Sequence, residues 1–316
     1  MKIKTRYYLL IIFIVASCRN SNNNETKISK KADTNNQQNP QTPPKSMTKF
    51  EIKPFITIDG VGNSSGIIYH QDHLYIVGDN SGFLFKYHVE NKKLERFPLV
   101  KDAKEITPKA FKQDFESIGL HDGNLHIYGS GSTKKRNKQI DFSIADNSIN
   151  KNSTKDFYKR FLETAILSEK DLNIEGVVFH NDKQYYFQRG NGAQATNGIF
   201  VVFENEIQFK PIVLPMILGL QCGFTDAVVH DNKCYFLATA ENTTSTYLDG
   251  EIMGSIFGCI NLDTFTIEYA QQIAAVEKME GITVYKSDEK TITFLLCEDN
   301  DIEELKSIIY ELKVYK

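Results

Sequence analysis

The chain has 316 residues, of which 41% are apolar and 24% charged, with a formal net charge of −3. That balance describes one large globular domain or two modest ones and excludes a wholly disordered or collagen-like chain. The acidic charge excludes a protein built to grip nucleic-acid backbones, so no nucleic acid polymer is expected as a partner.

The N-terminus is an address. Lys2, Lys4 and Arg6 precede a nine-residue apolar run, Tyr7 to Val15, followed by Ala16, Ser17 and Cys18. A basic start, a short apolar stretch and small residues describe a secretory signal, and the run falls well below the roughly 20 residues of a membrane-spanning helix. Val15-Ala16-Ser17-Cys18 resembles a bacterial lipobox. The resemblance implies a signal peptide over residues 1–17, cleavage before Cys18, and lipid on that cysteine, which would hold the chain to a membrane. Arg19 stands where an inner-membrane retention aspartate would, so the expected location is the cell envelope, with the outer membrane favoured. Residues 18–48 contain almost no apolar side chains and are rich in Asn, Gln, Lys and Pro. Such a segment cannot offset its ordering entropy and is expected to be a disordered tether.

From residue 49 to 316 the pattern is that of one all-β domain: short alternating runs broken by turn residues. Five units recur. Each opens on a small or acidic residue, continues as an apolar strand, turns at Asp, Asn or His, and returns as an aromatic-rich strand. The openings are Ser65, Glu116, Glu175, Asp226 and Glu280, at intervals of 51, 59, 51 and 54 residues. Periods of this size predict a β-propeller with about four strands per blade. The expected count is five blades, the alternative being six if 101–110 conceals a degenerate one. The fifth unit runs out of chain after three strands, and residues 50–58 have no partner. They are expected to supply its outer strand and close the ring, removing an open sheet edge. Residues 154–167 carry Phe157, Phe161, Leu162 and Ala165 at helical spacing. A short helix, N-capped by Thr154, is predicted there in place of the second blade's outer strand.

The first strand of each propeller blade lines the axis, so Ser65, Glu116, Glu175, Asp226 and Glu280 are expected to converge near one mouth. Carboxylates that close must protonate, hydrate or bind a cation. Calcium, with six to eight oxygen ligands in flexible geometry, suits such a ring, and these five residues are its candidate ligands; a hydrated channel is the alternative. The loops on that mouth differ in sign. Gly129 to Arg136 carries Lys134, Lys135 and Arg136. Arg189 and Asn191 lie between glycines, and such backbone beside cations can cradle an anionic oxygen. The fourth and fifth loops are acidic, and Asp249, Glu251 and Asp299 are candidates for a general base, with Arg189 holding the substrate.

Cys222, Cys234, Cys259 and Cys297 show no zinc spacing and are expected to be small apolar residues, a Cys234–Cys259 disulfide being the minor alternative. No GxSxG elbow is present. His70, His121, His180 and His230 recur after the first strands, at the opposite mouth, and are expected to be turn residues.

The segments DFESIGL (114–120), GSGS (129–132), LNIEGVVF (172–179), QRGN (188–191), GFTDAVV (223–229) and LDGEIMGS (248–255) resemble an uncharacterised propeller family of Bacteroidota-type envelope lipoproteins, over nearly all of 50–316. More distantly, the repeated Glu-Gly inner strand is similar to calcium-dependent propeller hydrolases, namely calcium-activated nucleotidases and the lactonase and phosphotriesterase type. That resemblance implies axial carboxylates holding calcium, which polarises a phosphoryl or carbonyl oxygen. A catalytic His pair of the lactonase type and nucleobase-stacking residues have no counterpart here. Two functions follow from these patterns. One is an envelope hydrolase of an anionic phosphoester or lactone. The other is a monomeric binding or scaffold module with a structural metal, engaging a glycan, a peptide or another envelope partner.

Overall fold

The structure, a computed structural model, describes residues 49–248, 250–299 and 304–316. The signal peptide, Cys18 and the tether therefore lie outside the described residues, as does Asp249. Among the described residues no helix is long and apolar enough to cross a membrane.

Strand β1 (Phe50–Asp59) and the strands after it form five four-stranded antiparallel sheets, the blades of a propeller. Blade 1 is β2 (Ser64–His70), β3 (His73–Gly78), β4 (Phe83–His88) and β5 (Leu94–Pro98). Blade 2 is β6 (Phe115–His121), β7 (Asn124–Gly129), β8 (Lys138–Ser143) and β9 (Ile149–Ser153), followed by the helix α1 (Lys155–Ala165). Blade 3 is β10 (Ile174–His180), β11 (Lys183–Gln188), β12 (Gly198–Phe203) and β13 (Glu206–Pro211). A small hairpin, β14 (Met216–Ile217) with β15 (Leu220–Gln221), leads to blade 4: β16 (Gly223–His230), β17 (Lys233–Glu241), β18 (Ile252–Asn261) and β19 (Thr266–Ala274). Blade 5 is β20 (Met279–Ser287), β21 (Thr291–Glu298) and β22 (Lys306–Tyr315). Its outer strand is β1, paired antiparallel to β22 from Phe50↔Val314 to Asp59↔Lys306. The chain's first strand thus closes the ring against its last, as the unpartnered 50–58 segment predicts.

The sequence builds this path through its turns. The inner hairpins of blades 1 to 4 turn on Gln71-Asp72, Asp122-Gly123, Asn181-Asp182 and Asp231-Asn232, with both residues of each pair at positive φ. Two-residue turns of that kind match the right-handed twist of the flanking strands. Residues 101–114 hold turns and no strand, so there is no sixth blade. Five apolar clusters fill the five interfaces between neighbouring blades. The one between blades 5 and 1 joins Ile58 and Ile309 to Ile67 and Ile76, so ring closure is held by packing as well as by strand pairing.

Blade 2 departs from expectation. Its outer strand is present: β9 pairs with β8 from Lys138↔Ser153 to Phe142↔Ile149. It reads INKNS, without apolar alternation, because an outermost strand needs only backbone bonds on one side. The helix follows this strand instead of replacing it. Tyr158 and Phe161 are buried, and Phe161 stacks on Phe200 of blade 3 at 4.1 Å. Thr154 occupies the N-cap position but its side chain makes no capping bond. The helix ends on Ile166 at φ 55°, with the backbone N–H groups of Ile166 and Leu167 both donating to the Leu162 carbonyl. A β-branched residue in the left-handed region is strained, and Ile166 is 84% exposed, so it gains nothing from burial. Ile166→Gly is expected to raise stability by about 1 kcal/mol, read as a shift in the denaturant midpoint without a change in slope.

The four cysteines are buried and free. Cys234 lies opposite Ile260 and Cys259 opposite Tyr235, one step out of register for a disulfide. The four recurrent histidines close the inner strands beside the hairpin turns, on the mouth away from the site described next.

Candidate functional site

Every inner strand carries a β-bulge at the same place. In β2 the pairing steps from Ser64↔Gly78 to Gly66↔Val77, leaving Ser65 extra. The same slip leaves Glu116 extra in β6, Glu175 in β10, Thr225 in β16 and Glu280 in β20. A bulge re-aims its side chain and ends regular pairing, which here turns the residue toward the axis. The fourth member of this ring is Thr225, not Asp226 as expected. Asp226 occupies the following position, held by glycine in blades 1, 3 and 5. Its Oδ2 accepts the Ile282 backbone N–H of the next blade at 2.8 Å, while its Oδ1 is buried without a partner. Burial holds the Asp226 carboxyl well above its ordinary range. Thr225 donates to the Met279 carbonyl at 2.7 Å. Ser65 accepts the Asp79 backbone N–H at 2.9 Å. Glu116, Glu175 and Glu280 are the bulge residues that line the axial pocket.

More side chains enter from two further registers. Asp114, Asn173 and Lys278 stand two residues before their bulges and so share the same strand face. Asp79, Arg189, Glu241 and Asp299 come from the ends of the second strands. Together they enclose a small polar cavity of about 40 Å³, with Lys112, Arg136 and Tyr247 reaching in from loops. That is room for a few waters, or for one ion with water. Among the described residues seven carboxylates line it against four largely buried bases, Lys112, Arg136, Arg189 and Lys278, and the half-buried Lys109.

The pocket has two halves. On the side of blades 1 and 2, the Lys112 ammonium bridges Asp79 and Asp114, 3.0 Å from the latter, and Arg136 pairs with Asp114 at 2.7 Å. Ser130 also donates to Asp114. Against the cost of burial, Lys112 and Arg136 hold the Asp114 carboxyl below its ordinary value. Asp79 goes the other way: burial outweighs Lys112 and pushes it up to about 6. Glu116 has no ion pair among the described residues. Burial raises its carboxyl well above the ordinary range, and the neighbours that raise it further are themselves acids, Asp114 and Glu175 foremost. Carboxylate oxygens of Asp79, Asp114 and Glu116 lie within 4.8 Å of one another, and Asp79 Oδ1 is buried without a hydrogen-bond partner.

On the other side, Arg189 spans three blades. Its guanidinium lies 3.2 Å from Glu175, 2.5 Å from Glu241 and 3.6 Å from Glu280. It crosses over Gly223, where a Cβ would stand 2.7 Å from the Arg189 Cγ, so the fourth blade needs glycine two residues before its bulge. Lys278 pairs with Glu280 at 2.8 Å and Asp299 at 3.2 Å. Burial still raises the Glu280 carboxyl well above its usual range, and the Asp299 and Glu175 charges add to it over the opposing pull of Lys278. Glu241 also accepts the Gly250 backbone N–H at 2.7 Å, which holds Gly250 at the mouth.

The remaining expected residues divide. Asn191 lines the pocket and accepts from Asn173 at 3.3 Å. Asp299 is 5% exposed and lines it as well. Glu251 is exposed and outside it. Lys134, Lys135 and Arg136 form one 3-10 turn, from which Arg136 points inward while the two lysines stay exposed. Lys112, Asp114, Glu241 and Lys278 were not singled out as site residues. For Asp114 and Lys278 a signal existed, since each stands at a fixed offset from a bulge glutamate.

The profile of one sequence family matches residues 60–314, every blade apart from the closing strand β1. The chain belongs to the family of unknown function DUF6929. None of the curated proteins matches this DUF6929 chain. Among solved structures it is similar to the Myxococcus xanthus glutaminyl cyclase, at 11% identity over 84% of this chain and 97% of that one, with a TM-score of 0.48. It is also similar to an exo-1,5-alpha-L-arabinanase from a bovine ruminal metagenomic library, at 9% identity over 82% of this chain and 98% of that one, with a TM-score of 0.47. The assignment of five blades rests on the strand pairings and not on these likenesses.

Proposed function

We propose that this chain is an envelope hydrolase, lipid-anchored through Cys18 and tethered by residues 18–48, whose axial pocket cuts an ester with the help of a divalent cation. One observation carries the proposal. Glu116 is buried and makes no ion pair among the described residues, against Asp79 and Asp114, in a pocket whose described acids outnumber its bases. Uncompensated carboxylates that deep protonate or take up a cation. The donor set is all oxygen and one donor, Asp79 Oδ1, is orphaned, which fits a hard ion such as calcium.

Asp79, Asp114 and Glu116 would hold that ion, which when bound supplies Lewis acidity toward the ester oxygen. The opposite half handles protons. Glu280, its carboxyl raised by burial, is placed to donate a proton; Asp299, on the same Lys278 ammonium, is placed to accept one. Arg189 fixes Glu175, Glu241 and Glu280 in place, a positioning role in contrast to the substrate-binding one expected from its flanking glycines.

The ion pairing of Arg189 and Lys278 is also what a static binding module would show, and turnover separates the two. The full-length chain with calcium is expected to hydrolyse at least one of a panel of 4-nitrophenyl carboxylic and phosphate esters. Glu116→Gln should lower kcat/KM by 100-fold or more without loss of melting temperature. Turnover undiminished in Glu116→Gln would refute the site, and no turnover on any ester would leave the binding module.

A further inference from the structure

Beside the axial pocket and sharing four of its residues lies a second cavity, of about 400 Å³. Of its eight described wall residues five are cations, Lys109, Lys112, Lys134, Lys135 and Arg136, and none of the eight is acidic. In a chain with net charge −3 this is not an effect of composition. Lys134 and Lys135 make no ion pair among the described residues, and two like charges beside one concavity are relieved when an anion fills it.

The separation of charge is built by the fold. Lys109 and Lys112 come from the long connection between blades 1 and 2, and Lys134 to Arg136 from the loop after β7. Asp79 and Asp114 neutralise Lys112 and Arg136 from the axial side, so those two bases form the wall between an acidic pocket and a basic one. Lys134 and Lys135 face the basic side from a 3-10 turn, and Lys135 donates to the Ala110 carbonyl at 3.3 Å.

Tyr247 completes the cavity from across the mouth. Its ring lies 5.4 Å from the Lys109 ammonium and 5.4 Å from the Arg136 guanidinium. Such contacts orient an aromatic face at modest cost. The loop carrying it is anchored on the far side, where Thr246 donates to the Lys170 carbonyl at 2.9 Å. Tyr247 is 41% exposed, so part of the ring is open to a ligand.

We infer that this cavity is the subsite for a phosphate group on a ring-bearing substrate, with Lys134, Lys135 and Arg136 holding the dianion and Tyr247 stacking on the ring. The phosphate is a handle and not the bond cut, because the seven carboxylates of the axial pocket repel a dianion that the basic cavity attracts. The cavity is larger than a phosphate alone requires, which leaves space for the ring. Only the identity of the broken bond rests on the hydrolase reading above; the phosphate subsite does not.

The test is calorimetric titration of the full-length chain with inorganic phosphate, phenyl phosphate, phenol and benzylamine, in chelator and again in calcium. Phenyl phosphate is expected to bind one-to-one in both conditions, more tightly than inorganic phosphate, with phenol and benzylamine at least tenfold weaker. Lys134→Glu/Lys135→Glu should weaken both phosphates tenfold or more with an unchanged melting temperature, since both side chains are exposed. Lys92→Glu/Lys93→Glu, an equal change of charge on a hairpin of the opposite mouth, should leave them unchanged. Tyr247→Ala should weaken phenyl phosphate about fivefold and spare inorganic phosphate. Equal losses in the two lysine pairs, or phenol binding as well as phenyl phosphate, would overturn the subsite. Binding in chelator separates its fate from that of the axial cation: loss of either leaves the other standing.

Discussion

Arg189→Met is expected to destabilise the chain by about 3–5 kcal/mol at pH 7.5, the cost of leaving buried carboxylates without their cation. At this chain length that corresponds to a fall of roughly 10 °C in melting temperature. The guanidinium is 3% exposed and contacts acids from three blades, so its removal leaves Glu175, Glu241 and Glu280 facing one another across the axis. Lys278 remains beside Glu280 and offsets only part of the excess. The loss should shrink at pH 5. Burial already raises Glu175 and Glu280 above their ordinary values, and without Arg189 they rise further. A carboxyl with a raised folded-state pKa binds more protons folded than unfolded, so lowering the pH favours the fold. Thermal melts of both chains at pH 7.5 and 5 measure the effect. A loss under 1 kcal/mol, or one equal at the two pH values, would mean that the arginine is not the counter-ion of this half of the pocket.

The parent chain, stripped of divalent ions, should itself become more stable as the pH falls from 8 to 5. Asp79, pushed up to about 6 from an ordinary 3.8, is the best-defined contributor, worth about 1.4 kcal/mol between pH 8 and 5, the rest of its contribution arriving only below pH 5. Glu116 and Glu280 act in the same direction. Asp114 does not compete in this window. Lys112 and Arg136, overcoming burial, hold its carboxyl low, so its stabilisation is present above the unfolded value and is lost only as the pH falls through the lowered folded one. Excess calcium should reverse the slope, because an ion that binds ionised carboxylates of the folded chain stabilises it more at higher pH. Melting temperatures across this range, with chelator and with calcium, provide the check. A chelated chain that loses stability steadily from pH 8 to 5 would contradict the assignment of raised carboxyls.

The blades were legible because local chemistry repeats. Two-residue turns rich in Asp, Asn and Gly that accept positive φ sit between alternating runs in the inner hairpins of blades 1 to 4, and that pattern needs no tertiary information. β9 was not legible, since INKNS carries no apolar face and is held only through the backbone of β8. The hairpin β14–β15 is too short to leave a period at all. The axial ring was legible in part. Matching Asp226 to the glutamates followed residue type, whereas the bulge follows position. The histidine five residues after Ser65, Glu116 and Glu175 recurs five residues after Thr225, and that spacing gives the right register. The Arg189–Glu241 pair joins residues 52 apart on different blades. Nothing local in the sequence encodes it, because it depends on how the blades face across the axis and on Gly223 leaving space for the arginine to cross.

Calorimetric titration of the chelated full-length chain with calcium at pH 7.5, beside Glu116→Gln/Asp79→Asn, tests the account most directly. One calcium per chain, a raised melting temperature, and loss of both in the double variant are the predicted results. No heat and no thermal shift, or calcium binding undiminished in the double variant, would contradict a cation site at Asp79, Asp114 and Glu116.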